Sequence, residues 1–341
     1  MIWKIPAAGA ILALSFLAAF LLIDERETLI EPDIDVLAPL PDLGEESYAL
    51  LKSLCSGLEL SPKLERRKHD LKDLEFGSEA HRKHLLDIEE SLLADWKRFE
   101  PRLFLLHELA QYPQIGDAFV LSAADEDLLD VNGLLNLAAL ICFKAEYAAV
   151  FSRGSKFPLL RDTGAILQNW LPHVRTLLHH MVAIDSIRRV WTTADRLRPA
   201  LAHAEWTSFA RLLDSPPDPT DSLVRVLRAE YASMATHLES LAAEQSGIIT
   251  NRLFFHPNRT RNAILRIYEA AITHVEAHDV DALGRHWRGV KDEVEGRSIL
   301  NALGNIPIRL AVGAYDSLLE EIIQEHQQLE PLRQRLLPSD L

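Results

Sequence analysis

From Ile5 to Ile23 the chain runs nineteen residues without a charged side chain, IPAAGAILALSFLAAFLLI, and no later feature constrains the fold as tightly. At about 1.5 Å of rise per residue, a helix of that length nearly matches a hydrocarbon core about 30 Å thick. A helix also satisfies its own backbone groups where there is no water to do so. The segment is therefore expected to span a bilayer. Trp3 and Lys4 stand just before it, suited to the headgroup zone, and Lys4 places the basic flank on the N-terminal side. By the positive-inside rule residue 1 lies in the cytoplasm and residues 24–341 lie outside it, in the periplasm if the cell is Gram-negative.

A cleaved secretory signal begins in the same way, but three details favour an uncleaved signal anchor. The apolar run exceeds the usual 7 to 15 residues or so of a signal core. Leu21-Leu22-Ile23 leads straight into Asp24-Glu25 with no small-x-small cleavage pair, and no Cys follows for lipid attachment. Either reading exports the rest of the chain.

Between Asp24 and Glu46 there are nine acids and one Arg, which gives −8 of the net charge of −14. With Pro32, Pro39 and Pro41 among these acids, residues 24–44 read as an extended, solvated spacer. The remainder is only mildly acidic and lacks a domain-wide basic face, so no counterion release is available to drive nucleic-acid binding. The densest basic cluster, Lys63, Arg66, Arg67 and Lys68, reads as a solvated helix face, with an anionic contact as the sharper alternative.

Residues 45–341 are expected to form a helical extracytoplasmic domain, with a candidate sub-boundary near 214–220. Hydrophobic residues make up 48% and Gly only 14 residues, while β-branched runs are short, so intrinsic propensity favours helix. The expected fold is all-α: one N-terminal transmembrane helix, then a soluble multi-helix bundle of antiparallel helices. Helices are read at 45–57, at 78–110 with a break near Pro101, at 128–152, from Pro158 to about Leu197 with a kink at Pro172, and at 199–213. The helix at 128–152 is apolar on nearly all sides, as for a core helix. Its longest uninterrupted apolar run, Leu137 to Phe143, is too short to span a membrane. DSPPDPTDS at 214–222 breaks the pattern, with Thr220 or Asp221 as N-cap of a helix over 221–245. That helix carries a narrow seam of Leu223, Leu227, Tyr231, Met234, Leu238 and Leu241, expected to pair with a C-terminal helix at 313–336.

The two cysteines, Cys55 and Cys142, form no C-x-x-C pair, which removes thioredoxin-type and thiolate-zinc chemistry. A single disulfide between them is an open alternative for an exported domain. G-x-S-x-G, H-E-x-x-H, Walker A, G-x-G-x-x-G and S-x-x-K are all absent. His274 and His278, four apart in THVEAHD, are the arrangement most like a metal-ligand pair if both lie on one helical face. His81 with His84 and the pair His179-His180 are weaker versions of it. The least ordinary segment is NRLFFHPNRTRN at 251–262. Pro257 disfavours helix at His256, and Asn258 or Thr260 is suited to cap the helix that follows. The same geometry would let Arg252, His256, Asn258, Arg259 and Arg261 ring an anion at a helix start. The Asn258-Arg259-Thr260 sequon matters only in a glycosylating pathway. A Gly- and Pro-punctuated run at 296–313 reads as a loop packing on that corner or as an exposed lip.

These features lead to a membrane-tethered, non-enzymatic helical interaction or scaffold protein of the cell envelope. Its expected partners are the bilayer, through residues 5–23, and another protein. No cofactor and no nucleic-acid partner are expected. Two alternatives stay open: an exported enzyme acting on an envelope substrate through scattered carboxylates such as Glu108 or Glu146 with nearby His, and a small-ligand module at the 251–262 corner.

Overall fold

A computed structural model describes residues 45–68, 74–117, 129–151, 153–154, 157–214, 216–245 and 256–296, together with 322, 324–325 and 327–337. The segments expected to anchor and space the chain, 5–23 and 24–44, fall outside this set, as do Arg252 and the loop at 297–313. The described residues are all-helical, with no strand among them. In chain order the helices are α1 (Glu45–Cys55), α2 (Pro62–Arg67), α3 (Glu79–Phe99), α4 (Leu103–Leu109), α5 (Val131–Val150), α6 (Phe157–Trp170), α7 (Leu177–Leu197), α8 (His203–Ala210), α9 (Pro219–Gln245), α10 (Pro257–Glu276) and α11 (Val280–Gly296). A final helical stretch, α12, covers 327–336.

Prolines set most of the breaks. Pro101 and Pro172 each sit in a single 3₁₀ turn, Glu100–Arg102 between α3 and α4 and Leu171–His173 between α6 and α7. Each ring removes an N–H and crowds the preceding carbonyl, so the helix tightens and re-aims at those points. The start of α9 lies earlier than Thr220 or Asp221. Asp218 accepts the Thr220 N–H through its carboxylate at 2.7 Å and the Ser222 N–H through its carbonyl at 3.2 Å, and Pro219 opens the helix. Pro at the first helical position gives up only an N–H that would have no intrahelical acceptor.

The chain divides into two compact units, with one division falling between Val226 and Leu227, inside α9 and a few residues past the 214–220 break. In the larger unit α5 is central and packs against α7, α3, α6 and α1. Among the described residues it is the one helix long and apolar enough to cross a membrane, yet 72% of that apolar window is buried inside the protein. Its polar side chains find partners there. Asn136 donates to the Leu58 carbonyl at 2.9 Å, and the Lys144 ammonium lies 5.2 Å from the Trp96 ring centroid and 5.7 Å from that of Tyr147.

Two pairings differ from a purely antiparallel bundle. Cys142 lies beside Arg189 and Glu146 beside Arg196, so α5 and α7 run in the same direction. The C-terminal stretch lies along α7, where Arg188 meets Glu325 and Arg335 meets Asp195, again in the same sense. The α9 seam packs on α10 in an antiparallel pair, while residues 313–321 of the helix expected to meet it lie outside the described set. Arg228 meets Glu276, the Tyr231 and Tyr268 rings are 5.9 Å apart, and Glu239 meets Arg261. Leu223, Leu227, Tyr231 and Leu238 of the seam are buried, whereas Met234 is only partly so. These α9–α10 contacts and α11 belong to the second unit.

Cys55 and Cys142 are both free and both buried, so no disulfide joins them. Burial pushes the Cys142 thiol up to about 12 and raises that of Cys55 as well. Since the thiolate is the reactive species, neither should react with a disulfide reagent in the folded protein. Two thiols are expected to titrate once the chain is unfolded in denaturant without reductant, and a count of zero would establish a bridge.

Candidate functional site

The parallel course of α5 and α7 brings one stripe of each helix to a common cleft. On α5 the stripe is Ala139, Cys142, Phe143 and Glu146; on α7 it is Asp185, Arg188, Arg189, Thr192, Thr193 and Arg196. Both sets follow helical spacing, three or four residues at a step, so each is one continuous line on its helix. Lys68, just past the end of α2, completes an open cleft with about 80 Å³ of enclosed space. Its floor is apolar and its wall is cationic.

The deep end of the cleft is closed by a buried network. Glu146 is 1% exposed on a largely apolar helix. It receives Nε2 of His81 at 2.7 Å and a two-pronged contact from Arg196, Nε to Oε1 at 3.2 Å and Nη2 to Oε2 at 3.2 Å. The Gly77 N–H donates to Nδ1 of His81 at 3.0 Å, so the ring proton sits on Nε2 and points at the carboxylate. Arg196 also donates to the Leu74 carbonyl at 2.8 Å. Both imidazole nitrogens and both carboxylate oxygens are thus engaged, as burial in a low dielectric requires.

Along the wall, Arg188 is held by Asp185 at 2.7 Å and by Glu325. Arg189 donates from Nη1 to the Lys68 carbonyl at 2.7 Å, but its Nη2 lies 3.7 Å from Asp185, beyond hydrogen-bond length. Its buried Nε–H has no acceptor among the described residues. Arg189 is therefore the cation of this wall with donors in reserve.

Other imidazoles are likewise tied. His179 donates from Nδ1 to the Asp117 carboxylate at 2.8 Å, and the same carboxylate accepts the Arg175 N–H at 2.9 Å. His180 meets the Ser222 Oγ at 2.9 Å, but the Ser222 hydroxyl donates to the Leu171 carbonyl, so its proton points away from the ring and no nucleophilic dyad forms. His107 meets Asp162 at 2.7 Å, and Arg161 holds the other oxygen of that carboxylate. Glu108 is exposed on α4.

The residues singled out at 256–278 lie elsewhere. His256 is the buried N-cap position of α10 with no side-chain cap bond, and Pro257 opens the helix, so capping does not fall to Asn258 or Thr260. Arg261 meets Glu239 at 3.0 Å and also hydrogen-bonds the Tyr231 hydroxyl, which draws its charge into the α9–α10 pair. In the first turn Asn258 is partly buried and Arg259 is exposed. His274 is in the last turn of α10, while His278 falls past its end with φ of 53°, so the two do not share a helical face. The neighbour of His274 is His286 of α11, with ring centroids 5.7 Å apart. Among the described residues no group of three or more His, Cys, Asp or Glu is placed to hold a metal ion.

Burial holds the His286 pKa below its ordinary 6.5, against a hydrogen bond to the Ile267 carbonyl that raises it and with His274 adding to the depression. Burial, then Arg225 and Arg175, depress His173 in the same way. A depressed imidazole binds its proton more weakly folded than unfolded, so stability falls as pH drops through about 6.5 towards the folded value. Urea unfolding at pH 7.5 and 5.5 checks this. The double variant His173→Asn, His286→Asn should lose less stability between the two pH values than the parent, and an equal loss would refute it.

The sequence signal that marks the cleft is a helix, IDSIRRVWTTADR, whose polar residues recur on one side in a pattern that matches no catalytic motif. No protein-family model, curated protein or solved structure matches the chain.

Proposed function

We propose that the chain is a membrane-tethered, non-enzymatic interaction protein of the cell envelope, anchored through residues 5–23, with its helical body outside the cytoplasm and acting by recognition. The uncharged N-terminal run and Lys4 support the tether and its direction. One observation carries the choice of recognition over turnover: among the described residues the imidazoles and carboxylates nearest the cleft are held by arginine, by one another or by backbone, leaving charge and shape but no disengaged base there. The partner is another envelope protein. A photoreactive phenylalanine at Thr192, inserted into the full chain in intact cells, should give a discrete adduct that Arg189→Glu abolishes. Absence of any adduct, or an alkaline phosphatase fused at the C-terminus that stays inactive, would overturn the reading.

A second reading, an exported enzyme acting on an envelope substrate, is favoured by the placement of Glu146 in an open cleft with His81 buried behind it. A binding module at the 251–262 corner draws less support, because Arg261 is already engaged by Glu239 and Tyr231.

A further inference from the structure

We infer that the α5–α7 cleft binds a small amphipathic anion, a carboxylate or phosphate monoester carried on a short apolar body. This rests on reading the cleft as a recognition site and goes beyond the protein partner, assigning a small ligand to the same arginine. Asp185 and Glu146 line the cleft, but each already faces two cationic or imidazole partners, so neither calls for an incoming cation. Arg189 has donors to spare. Its Nε–H is buried without an acceptor among the described residues, its Nη2 is 3.7 Å from the nearest carboxylate, and that carboxylate is better held by Arg188 at 2.7 Å. The Lys68 carbonyl fixes the guanidinium from the other side, so the fork is oriented before anything arrives. A planar carboxylate or a phosphate matches that fork in a way a point charge would not.

The floor decides the rest of the ligand. Ala139, Cys142 and Phe143 present apolar surface beside the guanidinium, and an inorganic ion would leave it wet. The cleft opens to solvent and its enclosed space is small, about 80 Å³, which suits a compact organic molecule rather than a large one. Cys142 contributes only its bulk, since its thiol stays protonated.

The test uses the full chain in neutral-detergent micelles, with intrinsic tryptophan fluorescence following thermal unfolding. Benzoate and phenyl phosphate are the probes, and benzyl alcohol and inorganic phosphate are the controls lacking charge or body. At least one anionic aromatic should raise Tm saturably, with both controls weaker by about tenfold or more, and the two arms tell carboxylate from phosphate. Arg189→Gln should weaken binding by about tenfold or more, as loss of a charge-assisted hydrogen bond predicts. Thr192→Trp, which fills the cleft from its partly exposed rim, should abolish it while near-ultraviolet circular dichroism stays that of the folded chain. The inference is overturned if neither anionic probe shifts Tm saturably, if inorganic phosphate binds as well as phenyl phosphate, or if both variants bind as the parent does. Absence of binding leaves the tethered interaction reading standing. Release of phenol from bound phenyl phosphate would overturn the non-enzymatic reading and uphold the site.

Discussion

Replacing Glu146 with Ala lowers the stability of the helical body by about 3–5 kcal/mol, the range for removing one partner of a buried ion pair. The cost arises in what is left behind. Arg196, 14% exposed at its side chain, loses both prongs of its contact, and His81, 0% exposed, is left with an Nε2–H facing apolar surroundings. Urea unfolding followed by tryptophan fluorescence measures the loss. A concerted replacement, Glu146→Leu with Arg196→Met and His81→Phe, should recover most of it, because buried charge then leaves together with its counter-charge. A single-variant loss below about 1 kcal/mol would mean that water reaches Glu146 and that the network is not closed.

Gly133→Ala should cost about 1–3 kcal/mol or more, through overpacking against backbone. A Cβ at Gly133 would stand 2.1 Å from the Cys55 carbonyl oxygen and 2.9 Å from Oδ2 of Asp130. Neither neighbour is free to give. Asp130 caps α5 through the Gly133 N–H at 2.9 Å and accepts the Gly57 N–H at 3.1 Å, while Gly57 turns the chain out of α1 with φ of 60°. One carboxylate thus joins the end of α1 to the start of α5, and the methyl group would force that joint apart. The contrast is Gly289 on α11, exposed and with nothing within 4 Å of where a methyl group would stand. There Ala should stabilise by about 0.5–1 kcal/mol by restricting the unfolded chain. Thermal melts of the two variants should move in opposite directions, and a neutral Gly133→Ala would refute the close approach.

Helix positions were legible because their signals are local. Pro101, Pro172 and Pro257 mark breaks through steric rules that act within a few residues, and the apolar character of α5 marks it as the core helix without reference to its neighbours. Pairing was less legible. The α9 seam reads as a partner for the C-terminal helix at 313–336, yet the structure packs it on α10, with Tyr231 beside Tyr268 and the flanking pairs Arg228–Glu276 and Arg261–Glu239, contacts that no spacing rule encodes. His274 and His278 looked like a face because four-residue spacing implies one, but the helix ends at Glu276 and the implication ends with it.

The sequence by itself determined an all-helical body, the identity of its central helix, the two-cysteine inventory and the uncharged run that a bilayer would accommodate, since all depend on composition and on periods of a few residues. Only the tertiary structure decided that α5 and α7 lie side by side in the same direction, and with that the closing of Glu146 by His81 and Arg196 and the line of arginines facing Phe143. Those contacts join residues about fifty or more positions apart, as the separations of 50 and 65 for the two Glu146 bonds show. At such distances along the chain, packing and burial decide which charges meet.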